Sequence, residues 1–195
     1  MNCPDFALAK TSLRRQLLVR RGQHTDAHRA QTATALARAF AAEFEPRVRG
    51  EPTGTAAPLR VVAVYLSFAT EPDTGPLIEW LADQRVRALA PTLLPDADLG
   101  WMDVPDGPPL GLDAITDAEV ILVPALAVDL SGHRLGRGGG SYDRALTRVR
   151  PRQTVLAVVH DDEVLDAVPF EPHDRIVDGV LTPSGVRYFG TAADG

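Results

Sequence analysis

Cysteine and lysine are almost missing from this chain of 195 residues. Cys3 is the only cysteine, so no disulfide can form within the chain, as is usual for proteins of a reducing compartment. Lys10 is the only lysine among 20 lysine and arginine residues. Because arginine supplies all the other permanent positive charge, a lysine at position 10 stands out as a candidate functional residue.

Long apolar runs are also missing. No run is long enough to span a bilayer, and the first residues lack the basic and apolar regions of a secretion signal. We therefore expect a cytoplasmic protein. The net charge of −6 argues against a nucleic-acid-binding domain, which is usually basic. A hydrophobic content of 45% and a charged content of 24% are typical of a globular protein with one sizeable core.

The spacing of apolar residues predicts alternating helices and strands. Helices are predicted at residues 6–21, 25–44, 77–86, 142–150 and 162–168, with Thr25 as a helix cap. Strands are predicted at residues 59–66, 87–91, 100–104, 118–124, 155–159 and 176–181. This order indicates an α/β fold, with a mostly parallel sheet flanked by helices and two N-terminal helices packed on it. We expect residues 1–195 to form a single domain.

The stretch from Arg134 to Arg144 combines residue types that suit nucleotide binding. Glycine lets a ligand approach the backbone, successive N–H groups can bind an anion, and arginine offers forked donors to phosphate. A carboxylate can hold a divalent cation that bridges phosphate oxygens. The residues are Gly136, Gly138, Gly139 and Gly140, together with Arg134, Arg137, Arg144 and Asp143. The stretch therefore predicts a nucleoside triphosphate site, between a strand and a helix where parallel sheets bind ligands.

Two common phosphate-binding loops do not match this stretch. It lacks the lysine and the hydroxyl residue that follow the glycines of a P-loop. Ser141 stands where a dinucleotide fingerprint needs its third glycine, and no strand is predicted directly before Gly136. A flexible surface turn is the remaining alternative, and it is disfavoured because a plain linker has no need of three arginines and an aspartate.

Longer motifs around this stretch resemble those of the 5-formyltetrahydrofolate cyclo-ligase family, also called methenyltetrahydrofolate synthetases. The central motif comprises Val123-Pro-Ala-Leu-Ala-Val-Asp129 and Gly132-x-Arg134-Leu-Gly-Arg-Gly-Gly-Gly-x-Tyr-Asp143. Shorter matches, in the family's order, are Lys10-x-x-Leu-Arg14, Ser67-x-x-x-Glu71-x-x-Thr74 and Pro172-His-Asp-x-x-Val-Asp178. The resemblance spans roughly residues 10–182, and its central motif is long and specific.

The resemblance implies an ATP- and Mg²⁺-dependent ligase of folate and one-carbon metabolism. Such an enzyme closes 5-formyltetrahydrofolate to 5,10-methenyltetrahydrofolate and releases ADP and phosphate. The γ-phosphoryl group would activate the formamide oxygen, and the N10 amine of the same molecule would then attack. This catalysis depends on positioning and charge stabilisation. The implied partner is a small-molecule folate, with no nucleic acid and no membrane, and we expect a monomer or a weak dimer.

The resemblance also assigns roles to single residues. ATP would contact Lys10, Arg14, Arg134, Leu135, Gly136, Arg137, Gly138, Gly139, Gly140, Ser141 and Tyr142. The folate would contact Leu66, Glu71, Arg137, Gly138, Gly139, Gly140 and Ser141. Arg137 and Glu71 would be the catalytic residues, and Asp143 and Asp178 would hold Mg²⁺.

Plainer roles are open for several of these residues when the pattern alone is considered. Lys10 and Arg14 can belong to a solvated basic face of a helix. Asp143 can cap the helix that follows it, and Asp178 can be a turn residue. Glu71 can be an ordinary loop carboxylate near the start of a helix.

Two departures from the family pattern concern the substrate side. Ser141 occupies a position that is usually aromatic, and the segment 105–117 is shorter than the family segment that helps to line the folate site. Two rival functions follow: an ATP-dependent ligase or kinase acting on another small molecule, and a non-catalytic nucleotide- or folate-binding paralogue. We expect structural roles for His160 and His173.

Overall fold

The computed structural model describes residues 3–51 and 57–190. The helices are α1 (Cys3–Gly22), α2 (Asp26–Val48), α3 (Gly75–Asp83) and α4 (Ser141–Leu146), with short 3-10 helices at Asp113–Asp117 and Asp161–Glu163. As predicted, Thr25 caps α2, and its side chain accepts a hydrogen bond from the His28 backbone N–H at 3.2 Å. Within the described ranges, no helix combines the length and the apolar character needed to cross a membrane.

The strands form one large and one small sheet. In chain order they are β1 (Val61–Ala63), β2 (Arg87–Leu93), β3 (Leu99–Asp103), β4 (Pro109–Gly111), β5 (Val120–Pro124), β6 (Ala127–Asp129), β7 (Arg134–Leu135), β8 (Thr154–Val158), β9 (Val164–Leu165), β10 (Gly179–Thr182) and β11 (Gly185–Tyr188). The eight-stranded sheet has the order β11-β10-β8-β5-β1-β2-β3-β4. Its centre, from β10 to β2, is parallel, whereas both edges are antiparallel. The expected α/β fold with a mostly parallel sheet is confirmed.

Apolar side chains cover both faces of the large sheet. On one face, α2 and α3 contribute Phe40 and Leu77 to a core that includes strand residues of β1, β5 and β8. On the other face, Trp101 and Ile121 belong to a second core. Because the central strands are buried on both faces, their sequences are nearly continuous apolar runs instead of alternating ones.

Helix α1 packs on the small sheet, which has the order β7-β6-β9. Leu17 of α1 is buried together with Leu126, Leu135 and Val168. The small sheet thus connects the first helix to the chain that surrounds the glycine-rich stretch.

Three differences from the predicted elements have physical causes. Residues 162–168 are not helical, because the Asp161–Glu163 turn directs the Glu163 side chain into a buried ion pair and the chain then enters β9. The strand predicted at 59–66 pairs as β1 only over Val61–Ala63. The small sheet, β4 and β11 were not predicted because their strands are two to four residues long and lack apolar runs of strand length.

A buried ion pair fixes the end of α1 to the large sheet. Arg21 donates from Nε and Nη2 to the two carboxylate oxygens of Glu163, each at 2.6 Å. These side chains are only 1% and 4% exposed. Nη2 of Arg21 also donates to the Ala125 carbonyl at 2.7 Å. Because Ala125 follows β5 and Glu163 follows β8, α1 is anchored at the carboxyl edge of the parallel strands.

We expect Glu163→Gln to lower the free energy of unfolding by about 3–5 kcal/mol, because the buried Arg21 charge would lose its counter-ion. Urea denaturation measures this change. The matched control is Asp162→Asn, since Asp162 pairs with Arg20 while both side chains are about half exposed. That neighbouring change is expected to cost less than about 1 kcal/mol. Equal losses in the two variants would contradict the anchoring role of Glu163.

Candidate active site

A cavity of about 490 Å³ opens at the carboxyl edge of the parallel strands. This is the edge at which open parallel sheets bind their ligands. Its walls come from α1, from the loop after β1, from the end of β5, from the glycine-rich stretch and from the segment after β9. The corresponding residues are Lys10, Arg14, Arg21, Glu71, Pro124, Ala125, Leu126, residues 134–143, Glu171, His173 and Asp174. Leu93 and Leu99, at the end of β2 and the start of β3, complete the wall.

The glycine-rich stretch joins β7 directly to α4. The absence of a strand before Gly136, expected from the sequence, is wrong, because β7 ends at Leu135. Gly138 has φ +99° and Gly140 has φ +68°, and both values lie in the left-handed region that glycine adopts without strain. Gly140 is the residue before the first turn of α4. The glycines therefore turn the chain back and leave the backbone open toward the cavity.

Lys10 reaches the cavity from α1 and is held there by two carboxylates. Its Nζ lies 2.8 Å from Oε2 of Glu171 and 2.5 Å from Oδ2 of Asp174, and the residue is 5% exposed. Burial opposes the charge of Lys10, but the hydrogen bonds and the charges of Asp174 and Glu171 prevail and raise its pKa. Lys10 therefore does not belong to a solvated basic helix face.

A second ion pair joins the glycine-rich stretch to α4. Nη2 of Arg134 donates to Oδ1 of Asp143 at 2.8 Å, and the Arg134 side chain is 4% exposed. The same oxygen accepts a hydrogen bond from the Arg175 backbone N–H at 3.0 Å. Burial lowers the pKa of Arg134, and the nearby Asp143 charge acts against that effect. Asp143 thus ties the stretch to the segment that carries Asp174.

Glu71 and Arg137 form the third pair of the cavity. Nε of Arg137 donates to Oε1 of Glu71 at 3.0 Å, while Oε2 of Glu71 accepts from the Phe68 backbone N–H at 2.9 Å. The loop that carries Glu71 is braced because the buried Tyr65 hydroxyl donates to the Pro72 carbonyl at 2.7 Å. Glu71 is 11% exposed and Arg137 is 40% exposed, so the arginine is the more accessible partner.

Arg14 differs from the other cavity cations in its partner. Its Nε donates to the Gly136 carbonyl at 2.9 Å, and its guanidinium carbon lies 3.5 Å from the point where a Cβ on Gly138 would stand. The cation therefore rests on the glycine backbone without a carboxylate partner among the described residues. Arg14 can accept a ligand anion without first breaking an ion pair.

Thirteen residues expected at the site from the sequence line this one cavity. They are Lys10, Arg14, Glu71, Arg134, Leu135, Gly136, Arg137, Gly138, Gly139, Gly140, Ser141, Tyr142 and Asp143. Leu66 does not line it. Its side chain follows β1 and is 51% exposed on the surface, and its substrate contact stays a prediction.

Asp178 is absent from the cavity wall, so its expected role as a metal ligand stays a prediction. Oδ2 of Asp178 accepts a hydrogen bond from the Val155 backbone N–H at 2.7 Å, near the start of β8. Asp178 directly precedes β10, which runs parallel to β8. Arg175, three residues before Asp178, is the residue whose backbone N–H donates to Asp143.

Four polar residues of the cavity wall were not predicted from the sequence: Arg21, Glu171, His173 and Asp174. The last three lie in or next to the Pro172-His-Asp motif, so the signal was present, but the last aspartate of that motif was chosen. The sequence does not show which aspartate faces the cavity, since that depends on where β10 begins.

Among the described residues, two buried polar side-chain atoms of the cavity wall lack a protein partner, Nη1 of Arg21 and the Tyr142 hydroxyl. The Tyr142 hydroxyl is buried and has no hydrogen-bond partner in the described part of the chain. Burial and the charge of Glu71 raise the pKa of Tyr142, so the hydroxyl stays protonated. A buried hydroxyl in a ligand cavity is a ready donor for a bound molecule, because an unmet hydrogen bond is costly.

Fold and site together define an α/β protein whose cavity joins a basic glycine-rich stretch to a set of carboxylates. The family model of the 5-formyltetrahydrofolate cyclo-ligase family matches residues 7–183. The chain is 38% identical to a 5-formyltetrahydrofolate cyclo-ligase of Mycolicibacterium smegmatis, with 90% of this chain and 94% of the relative covered. It is 36% identical to the Escherichia coli enzyme of that name, over 64% of this chain and 79% of the relative. The chain belongs to the 5-formyltetrahydrofolate cyclo-ligase family and is a ligase.

Two solved structures share its fold. A methenyltetrahydrofolate synthetase from Mycoplasma pneumoniae superposes with a TM-score of 0.74 at 19% identity, covering 89% of this chain and 98% of that chain. The Aquifex aeolicus protein of the same name gives 0.72 at 23% identity, covering 95% and 96%. The fold class expected from the sequence is thus confirmed by comparison as well as by topology.

We expect Asp174→Asn to make Lys10 react faster with an amine-acylating reagent. The ion pairs raise the pKa of Lys10, so removing one carboxylate lowers the pKa and increases the fraction of neutral, nucleophilic amine. Because Lys10 is the only lysine, mass spectrometry of its peptide measures the rate directly. Asp178→Asn, outside the cavity wall, is the matched control. An unchanged rate in Asp174→Asn would contradict the pairing.

Proposed function

We propose that this chain converts 5-formyltetrahydrofolate to 5,10-methenyltetrahydrofolate with ATP and Mg²⁺ and releases ADP and phosphate. The observation that carries the proposal is one cavity that joins a basic glycine-rich stretch to a group of carboxylates. A polyphosphate needs the basic stretch as its binding partner, and a hard divalent cation needs the carboxylates. Family membership supplies the folate substrate.

The phosphates of ATP are assigned to the basic side of the cavity. Arg14 is available first, because it bonds to a backbone carbonyl and not to a carboxylate. Lys10 and Arg134 face the same space from α1 and β7. The backbone N–H groups between Gly136 and Gly140 add uncharged donors that need no side chain to be ordered.

The carboxylates that suit Mg²⁺ are Asp143 and Asp174. Both line the cavity, and their side chains are 24% and 13% exposed, so both can reach a ligand while staying partly sheltered. Charged oxygen atoms beside phosphate groups are the usual ligands of this ion. The ion would neutralise charge on the phosphate oxygens. Asp174 takes the place first assigned to Asp178.

These assignments of phosphate and cation also explain why the cations and carboxylates of the cavity are paired with each other before any ligand binds. Lys10 holds Asp174, and Arg134 holds Asp143, so neither charge is left unpaired in a partly buried site. When ATP and its cation bind, the phosphates replace the carboxylates as partners of Lys10 and Arg134. The cation would then be held by the released carboxylates, so that each charged side chain of the two pairs would keep a partner of opposite charge.

Arg137 and Glu71 are assigned to the reacting atoms. The γ-phosphoryl group would move from ATP to the formyl oxygen and leave ADP; N10 would then attack the formyl carbon, and the C–O bond to phosphate would break as the N10 proton leaves to solvent. Arg137 is the more exposed partner and can turn from Glu71 to stabilise charge on the moving phosphoryl group. Glu71, held by the Phe68 N–H, can accept a hydrogen bond from N10–H and orient its lone pair.

The folate ring is assigned to the apolar part of the cavity. Leu99, Leu126 and Tyr142 line it, and Leu93 at its rim is 72% exposed. The short segment 105–117 forms β4 and a 3-10 helix at the sheet edge and contributes no residue to the wall. The folate therefore depends on these few apolar contacts and on the Tyr142 hydroxyl.

The proposal is tested by following the ultraviolet absorbance of the methenyl product. We expect product from 5-formyltetrahydrofolate only when ATP and Mg²⁺ are both present, with one ADP formed per product. Omission of ATP is the control. ADP formation with a different acceptor would favour a ligase or kinase for another molecule. ATP binding without any turnover would favour a non-catalytic paralogue.

Substitution of the carboxylates tests the assignment of the metal ligands. We expect Asp143→Asn and Asp174→Asn to lower kcat by about 100-fold or more, as for loss of a charge-stabilising group. Asp174→Asn should also raise the Mg²⁺ concentration needed for half-maximal rate. Asp178→Asn is the control and should keep near-normal kcat, with thermal unfolding checking each fold. A loss confined to Asp178→Asn would reverse the assignment.

A further inference from the structure

Three of the five histidines of this chain converge outside the active site. The ring centroids of His24 and His28 are 4.4 Å apart, those of His24 and His160 are 4.6 Å apart, and those of His28 and His160 are 5.9 Å apart. The proposed reaction uses none of them. Three imidazoles in contact call for an explanation, since each carries a lone pair that suits a metal ion.

The three histidines come from separate elements that meet at the end of the sheet. His24 lies between α1 and α2, His28 lies in the first turn of α2, and His160 follows β8. One ligand nitrogen from each lies within 4.8 Å of the other two. Tetrahedral zinc with Zn–N bonds of about 2.0–2.1 Å needs nitrogens roughly 3.3 Å apart. Modest rotations of the three histidine side chains bring their nitrogens from the observed separation to the one that zinc needs.

The backbone beneath the histidines is fixed by hydrogen bonds. The His160 N–H donates to Oε2 of Glu163 at 2.8 Å, and Glu163 is itself held by Arg21. The His24 carbonyl accepts from Nε and Nη2 of Arg29 at 3.3 and 3.0 Å. Positions fixed in this way lower the entropy cost of gathering three ligands.

A small cavity beside the cluster offers room for a fourth ligand. It measures about 10 Å³ and is lined by His24, His160 and Thr70, among others. The Thr70 hydroxyl is buried and has no partner in the described part of the chain. A space of this size holds one water molecule, and a water bound to a metal would give Thr70 its missing partner.

We propose that His24, His28 and His160 bind a divalent transition-metal cation of the zinc class, with water as the fourth ligand. Three neutral nitrogens suit Zn²⁺, Co²⁺ or Ni²⁺, whereas Mg²⁺ prefers the carboxylates of the active site. The carboxylates of Asp162 and Glu163 lie near the imidazoles and offset the charges of Arg21 and the cation. This site goes beyond the proposed function and does not depend on it.

The test is a Co²⁺ titration of the metal-free full-length chain. We expect one equivalent to give the visible absorption of tetrahedral Co²⁺, and Zn²⁺ to abolish it by displacement. His28→Gln and His24→Gln should each weaken Co²⁺ binding at least about tenfold, since even loss of a residue supporting a ligand costs 10–100-fold. His133→Gln is the matched control because His133 is hydrogen-bonded to Asp129, outside the cluster.

Thermal unfolding gives a second readout that needs no chromophore. Zn²⁺ should raise the Tm of the wild-type chain more than that of His28→Gln at the same Zn²⁺ concentration, because a ligand that binds only the folded state stabilises it by an amount that grows with its affinity. His28 is exposed, so this variant should fold. Binding that survives in His24→Gln and His28→Gln would overturn the proposal. Binding lost in His173→Gln would place the ion instead at Glu171, His173 and Asp174.

Discussion

The arrangement of the active site depends on the buried pair of Arg21 and Glu163. This pair, with the hydrogen bond to the Ala125 carbonyl, fixes the last turn of α1 at the carboxyl edge of β5 and β8. A helix rises about 1.5 Å per residue, so Lys10 lies about 16 Å and Arg14 about 10 Å back along α1. A fixed end and a fixed direction therefore bring both cations to the glycine-rich stretch. The pair acts together with the packing of Leu17 on the small sheet, which holds the same helix beside the cavity.

The cavity also shows how opposite charges can share a small, partly sheltered space. Lys10 is paired with Glu171 and Asp174, Arg134 with Asp143, and Arg137 with Glu71. Desolvation penalises each unpaired charge, so the pairs stabilise the empty site, but the same pairs compete with the ligand. A ligand that carries both negative phosphate and a cation avoids this competition, because its phosphate pairs with the basic side chains and its cation pairs with the carboxylates. Under the proposed function, the site would therefore favour a metal–nucleotide complex over either component alone.

The sequence indicated much of this structure, and its omissions have clear causes. Apolar runs predicted the buried central strands, and the glycine and arginine pattern located most of the cavity wall. Of the two aspartates in one motif, Asp174 lines the cavity while Asp178 bonds to the Val155 N–H just before β10, and the sequence does not mark where that strand begins. Leu66 lies outside the cavity wall because β1 ends at Ala63, earlier than its apolar run. The small sheet was missed since strands of two or three residues leave no periodic signal.

The histidine cluster and the active site are neighbours that share two residues. Arg21 and Glu71 line both the large cavity and the small one beside His24 and His160. Arg21 holds Glu163, whose carboxylate receives the His160 N–H, while Glu71 holds Arg137 on the other side. A ligand that changes the position of either shared residue at one site changes the free energy of binding at the other. Such coupling is reciprocal, so a cation that tightens nucleotide binding must itself be bound more tightly when the nucleotide is present.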